Sequence, residues 1–200
     1  MAKMPEIGSD IHRERHRAVL ETAARLIRER GYEAASIQDI ATACGLTKAG
    51  LYYYIRSKED LLLEIMNYGM DIFEERVLLP VLEIGDPVER LQECMERNVL
   101  LVTEERSREV TIILHEHDTL TGAAREQING RKKRYVHFLE SSFEEAVREG
   151  RIRAVNPTVA AFSFLGMVLW IYKWFRPDGK IPPQRLAREM WDLFSRGITP

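Results

Sequence analysis

Between Ser36 and Ile55 the chain reads SIQDIATACGLTKAGLYYYI. Ile37, Ile40, Ala41 and Cys44 recur at helical spacing and make one apolar face, so a short helix is expected there. Ser36 is placed to cap it, with acidic Asp39 three residues on, a spacing that serves backbone N–H groups otherwise left without partners at a helix start. Small Ala41 lets a second helix cross closely. Gly45 supplies the turn, Leu46 plugs beneath it, and Leu51 with Ile55 makes the inner face of a second helix capped by Thr47. Two short helices sharing so small a core at a steep angle are the pattern of a helix-turn-helix. Lys48, Ala49, Gly50, Tyr52 and Tyr53 remain outward on the second helix. Small residues there let the backbone approach base edges, and the lysine and tyrosines donate to phosphates or bases. Tyr52, Tyr53 and Tyr54 cannot all be buried on so short a helix, which favours nucleic-acid contact over an ordinary helical hairpin. Gln38 carries an amide that can pair with adenine, although a solvated glutamine on an exposed turn is the plainer alternative.

Working outward, Val19, Leu20, Ala23, Ala24, Leu26 and Ile27 form an apolar stripe in a helix from about Arg13 to Arg30, ended by Gly31. Downstream, Ser57-Lys58-Glu59-Asp60 repeats the capping pattern before a helix over Leu61–Val77, so four helices fit into the first 77 residues. Pro80 and Gly85-Asp86-Pro87 punctuate. Further helices are expected over 88–103, 109–117, 123–148, 157–175 and 182–194. Strand alternation, internal repeats and low-complexity tracts are not apparent, and the expected fold is all-α with about nine helices.

The chain has 200 residues, 45% apolar and 30% charged, which is enough to build a core. The net charge of −2 announces no global basic field; residues 1–60 hold 10 Lys/Arg against 9 Asp/Glu and the rest 19 against 22, a small lean towards a basic head on an acidic body. Cys44 and Cys94 sit in helical, partly apolar surroundings and read as small buried hydrophobes rather than a disulfide or zinc framework. The opening residues are polar, and the longest apolar run, Val159–Tyr172, is too short to span a bilayer, so a soluble cytoplasmic protein without membrane association is expected. His115-Glu116-His117-Asp118 invites a metal reading, but i,i+2 spacing sets two imidazoles about 200° apart on a helix, and no metal site is expected. Nucleophile elbow, P-loop and dinucleotide fingerprint are all missing, so neither enzymatic activity nor a cofactor is expected.

The longer stretch AARLIRERGYEAASIQDIATACGLTKAGLYYYIRSKEDLL, residues 23–62, resembles the DNA-binding head of the TetR family of bacterial transcriptional repressors. The shared features are Gly-aromatic after the first helix, Ser before I-x-D-I-A, the Gly-Leu-Thr turn, Gly-Leu-Tyr, and Ser-Lys-Glu-x-Leu. The resemblance implies DNA contacts from Ser36 and Gln38 on the second helix, and from Thr47, Lys48, Ala49, Gly50, Tyr52 and Tyr53 on the third. Tyr54 stands where the family often has a phosphate-binding His, and Lys58 stands at the family's phosphate-binding lysine. The implied architecture is a head over residues 1–56, with a flexible arm over about 1–11, and a ligand-binding and dimerisation body over 57–200.

The helix over 157–175 is apolar nearly all round. Its Phe162, Leu165 and Leu169, with Leu186, Met190 and Leu193 of the last helix, resemble the family's four-helix dimer interface. A body cavity for a small hydrophobic or amphiphilic effector is expected, with Met95, Ile112, His115, Phe138, Phe143, Met167 and Trp170 as candidate lining and Arg134, in the basic run 131–134, as candidate anion partner. The tail Trp170–Gly179 is similar to TetR-type repressors of lipid and steroid breakdown that sense acyl-CoA intermediates, which places an acyl-CoA among the candidate effectors. The expected function is a homodimeric repressor released from a palindromic double-stranded operator by its effector. The alternative is a helical adaptor without sequence-specific DNA binding.

Overall fold

The computed structural model describes residues 7–104, 112–113, 116 and 119–198. Every regular element among these is helical: α1 (Ile7–Arg30), α2 (Ile37–Ala43), α3 (Lys48–Tyr52), α4 (Lys58–Phe73), a π-helical turn over Glu74–Leu78, α5 (Leu79–Leu82), α6 (Pro87–Thr103), α7 (Gly122–Arg148), α8 (Pro157–Leu169), α9 (Ile171–Trp174) and α10 (Pro183–Arg196). This is the all-α architecture read from the sequence. Of the helix expected over 109–117, only Ile112 and Ile113 are helical among the described residues.

Local chemistry sets most boundaries. Ser36 and Asp39 form the expected capping box, the hydroxyl accepting from Asp39 N at 3.1 Å and the carboxylate from Ser36 N at 3.1 Å. The Ser36 hydroxyl also donates to the Asp39 carboxylate, and that bond, with the one from Ser36 N, holds the carboxyl below its ordinary range. Gly45 takes φ +67°, a left-handed conformation that costs a non-glycine residue about 1–2 kcal/mol. Asp86 caps α6 with Pro87 at its first turn, and Asn156 with Pro157 does the same for α8.

Three boundaries depart from expectation, the first two with a tertiary contact at the site. Residues 7–11 belong to α1 rather than to an arm; the polar stretch that follows is anchored by His12 and His16 stacking on Tyr54. Pro80 does not end the fourth helix. The π-helical turn precedes it, and the Arg76 carbonyl, which Pro80 cannot serve for want of an N–H, accepts from Arg97 Nη1 at 3.2 Å. The apolar helix over 157–175 breaks at Trp170 into α8 and α9.

The body packs α10 along α6, and α7 against α8 and α6. Leu91, Met95, Phe143 and Phe164 are fully buried at its centre, where Phe164 meets Phe194 edge-on with centroids 5.8 Å apart. The head is α1 to α3 against the start of α4, over a core of Ala23, Ala24, Ile40, Leu51 and Ile55. Polar contacts join body to head: Glu116 Oε1 accepts from the main-chain N–H of Tyr32 at 3.3 Å, and Thr121 Oγ1 donates to Glu59 Oε1 at 3.1 Å. α4 itself runs from head into body. There Arg131 of α7 donates to Glu74 Oε1 at 3.0 Å, Asp71 Oδ1 at 2.6 Å and the Asn67 carbonyl at 3.1 Å.

Candidate functional site

The outward face of α2 and α3 carries the residues expected to meet DNA. Ser36, Gln38, Thr47, Lys48, Ala49, Tyr52 and Tyr53 are exposed, and Gly50, Tyr54 and Lys58 are half-buried. Leu51 between them is fully buried, so one side of α3 holds the core while the other faces out. Thr47 has a structural duty as well, its hydroxyl accepting from Gly50 N at 3.0 Å as the α3 cap. A Cβ at Gly50 would come within 3.2 Å of that hydroxyl, which accounts for a glycine where the helix must start tightly.

Tyr54 does not project like its neighbours. It lies parallel to His12 and His16, centroids 5.4 and 6.2 Å away, with Tyr53 edge-on at 5.3 Å. His16 Nε2 is 2.7 Å from Glu64 Oε2 of α4, whose carboxyl is pushed up by burial against the opposing pull of His16. An aromatic stack therefore splints α3 to α1 and α4. His12, exposed beside Tyr53, extends the same surface; its signal in the sequence was only the charge of the stretch around it. Lys58 Nζ sits 4.3 Å from the centroid of Tyr32 and donates to the Glu33 carbonyl at 3.3 Å, so its cation is held beside the chain entering α2.

The body holds a cavity of about 380 Å³, within the range of small-molecule sites. Apolar side chains such as Met70, Phe73, Leu101, Val136 and Leu165 line it, and its polar lining residues are Asn98, Asn129, Lys132 and Tyr135. Lys132 Nζ donates to the Ile113 carbonyl at 3.1 Å and Ile113 is itself in the wall, so α7 is tied to the 112–113 turn across the lining.

The expected lining residues lie elsewhere. Met95, Ile112 and Phe143 are buried and are not among the residues lining this cavity. The space opens about one turn further along α6, at Asn98 to Val102. Phe138 stacks on Tyr135 at 6.3 Å, outside the lining, and Met167 is half-buried against the core. Arg134 is exposed and 3.6 Å from Glu74, Trp170 lines a shallow groove at the end of α8, and His115 lies outside the described residues. Asn98 could have been found: Leu91, Cys94, Met95, Asn98 and Val102 follow one helical stripe, and an amide within it is a buried polar group in need of a function.

Exposed apolar side chains include Val159 and Phe162 of α8 at 64% and 56%, Trp170 just after it at 61%, and Leu193 of α10 at 70%. Leu169 is half-buried beside them. Leu165, Leu186 and Met190, expected at an interface, pack inside the protomer instead. They sit on the inward faces of α8 and α10, and a helix apolar all round gives no sign in its sequence of which side turns in. No group of metal ligands occurs among the described residues, and no helix there is long and apolar enough to cross a membrane.

Two family models match the chain: "Bacterial regulatory proteins, tetR family" over residues 19–65, and "Tetracyclin repressor-like, C-terminal domain" over residues 85–198. Among solved structures it is similar to AibR in complex with isovaleryl coenzyme A and operator DNA, with 61% identity, TM-score 0.87, and 90% of this chain and 97% of that one covered. It is also similar to the TetR family transcriptional regulator PfmR from Thermus thermophilus, with 34% identity, TM-score 0.81, and 89% and 97% covered. Among curated proteins, the HTH-type transcriptional repressor KstR2 of Mycobacterium tuberculosis is 26% identical over 183 residues, 90% of this chain and 91% of that protein.

Proposed function

The chain belongs to the TetR family of bacterial regulatory proteins, and from that premise we propose that it is a homodimeric repressor released from a palindromic operator by the CoA thioester of a short acyl group. The observation that carries this reading is the partly open, mostly apolar cavity of about 380 Å³ in a chain that shares 61% identity, over 90% of its length, with a protein crystallised with isovaleryl coenzyme A and operator DNA. Four acyl carbons buried there would contribute about 3 kcal/mol at roughly 0.8 kcal/mol per carbon. The remaining affinity comes from polar contacts and the CoA portion.

In this reading residues 1–56 are the DNA-binding head and 57–200 the effector and dimer body. Lys48, Tyr52, Tyr53 and Gln38 meet bases and backbone, and Lys58 meets a phosphate. Val159, Phe162, Trp170 and Leu193 are covered by a second copy, which sets two α3 helices about one DNA turn apart. The protein acts in the cytoplasm and catalyses no reaction. Release requires the thioester to favour the DNA-incompetent state, because equal affinity for both states shifts nothing.

The test selects the operator from random duplexes, then follows its complex by fluorescence anisotropy during titration with isovaleryl-CoA, octanoyl-CoA, free CoA and isovaleric acid. Release by isovaleryl-CoA at lower concentration than by the other three is the expected result. Release by free CoA or by the acid alone overturns the acyl-thioester reading. Failure to enrich a palindrome overturns the repressor itself.

A further inference from the structure

The cavity's polar residues are not equivalent. Asn98 and Tyr135 are 2% and 7% exposed, and buried polar groups of this kind persist only when paired. Asn98 Nδ2 donates to the Cys94 carbonyl at 2.7 Å and to Tyr135 Oη at 2.7 Å. The Cys94 carbonyl can only accept, so the amide nitrogen must face it, and the side chain cannot be turned over. Tyr135 Oη is therefore an acceptor towards Asn98. Cys94 Sγ lies 3.1 Å away on the same oxygen, at a separation where either group can be the donor. With the phenol donating to sulfur, the phenolic proton is used inside the wall. With the thiol donating to the phenol, Tyr135 Oη accepts twice and its own proton is released to a ligand in the cavity that Tyr135 and Asn98 both line.

We propose that Tyr135 reads the acyl group of the effector by donating its phenolic hydrogen to the thioester carbonyl oxygen, with Asn98 fixing the phenol and Cys94 turning from acceptor to donor as the ligand enters. The proposal rests on the acyl-CoA reading above. It moves no proton between heavy atoms; the O–H and S–H bonds only rotate. Burial pushes the Cys94 thiol up to about 12 and raises Tyr135 well above its ordinary value, so both stay neutral and able to donate. Asn98 is a positioning residue, and Tyr135 is the one that touches the ligand. A cavity otherwise lined largely by hydrocarbon would not separate a thioester from a thioether of the same shape; this phenol would.

The test compares isovaleryl-CoA with S-(3-methylbutyl)-CoA, its thioether analogue without the carbonyl, by calorimetry on the full-length protein. Wild type is expected to bind the thioester about tenfold more tightly, the worth of one hydrogen bond. Tyr135→Phe should lower thioester affinity to that of the thioether while leaving the thioether unchanged; a packing role alone would weaken both alike. The carbonyl stretch of isovaleryl-CoA labelled with carbon-13 at C1 should move to lower frequency on binding to wild type and less so in the variant. Equal binding of both ligands by wild type overturns the assignment alone and needs no variant to fold. Binding of neither overturns it together with the acyl-CoA reading.

Discussion

Replacing Arg131 with Met probes the joint between the effector-binding wall and the helix that runs into the head. Methionine keeps most of the apolar stem and removes the guanidinium. Arg131 is 12% exposed, Glu74 30% and Asp71 67%. The contact with Asp71 is therefore largely screened and contributes at most about 1 kcal/mol. The half-buried bond to Glu74 contributes about 1.5 kcal/mol, and the lost donor to the Asn67 carbonyl adds about 0.5 kcal/mol. A total of roughly 2–3 kcal/mol lowers Tm by about 5–10 °C in a chain of this length, readable by calorimetry at fixed protein concentration. The loss should be largely shared with Glu74→Gln, with a coupling of about 1 kcal/mol in the double-mutant cycle. pH supplies an independent check. Bonds from Arg131 hold the Glu74 carboxyl below its ordinary 4.5. A depressed carboxyl stabilises fully above the unfolded value and loses that contribution as pH falls through the folded one. The gap between wild type and variant should thus be widest near neutrality and narrow below about pH 4.5. A Tm change under about 2 °C at neutral pH, or a gap that ignores acid, would refute the view of Arg131 as the tie between α7 and α4.

Leu193→Lys, at an exposed site on α10, should give a folded monomer by sedimentation velocity and abolish operator binding; an intact dimer would move the interface elsewhere. Lys58→Ala should weaken binding to all duplexes alike and reduce the slope of log K against log salt by about 1, whereas an unchanged slope would show that its cation serves only Tyr32 and Glu33. Gln38→Ala or Lys48→Ala should instead alter preference among operator variants by about 1–3 kcal/mol, measured by competition, and a uniform loss would reassign them to backbone contacts. Gly45→Ala should cost about 1–2 kcal/mol in thermal unfolding because of its positive φ, and no change there would mean the turn can relax.

The head was legible because its determinants are local. Ser36 and Asp39, Gly45, Thr47, and Ser57 with Asp60 act within four residues of one another, so reading them in order reproduces α2, α3 and the start of α4. The body was legible only to the level of its helices. Whether Met95 or Met70 meets empty space depends on how three helices diverge along α6, which no single helix encodes. For the same reason Leu165, which is buried, and Phe162, which is exposed, could not be sorted into inner and outer positions on one apolar helix. Pro80 misled for a different reason: its cost is absorbed by Arg97 from another helix, a compensation invisible to any rule about neighbours.

The contact between Glu116 and Tyr32 has a consequence for how such proteins can be recombined. The body contributes a side chain, and the head contributes a main-chain N–H that every amino acid except proline possesses. Substitutions at position 32 that leave the backbone in place keep the donor, so a genetic screen for uncoupled repressors should recover changes at Glu116 far more often than compensating ones at Tyr32. The same asymmetry makes heads interchangeable. A relative's head with the same backbone path presents the same N–H to Glu116 whatever residue it carries there, and the contacts that remain to be matched are those with α4, where Glu64 meets His16 and Lys58 meets Tyr32. Operator choice can then be exchanged between such proteins without rewriting the part that senses the effector.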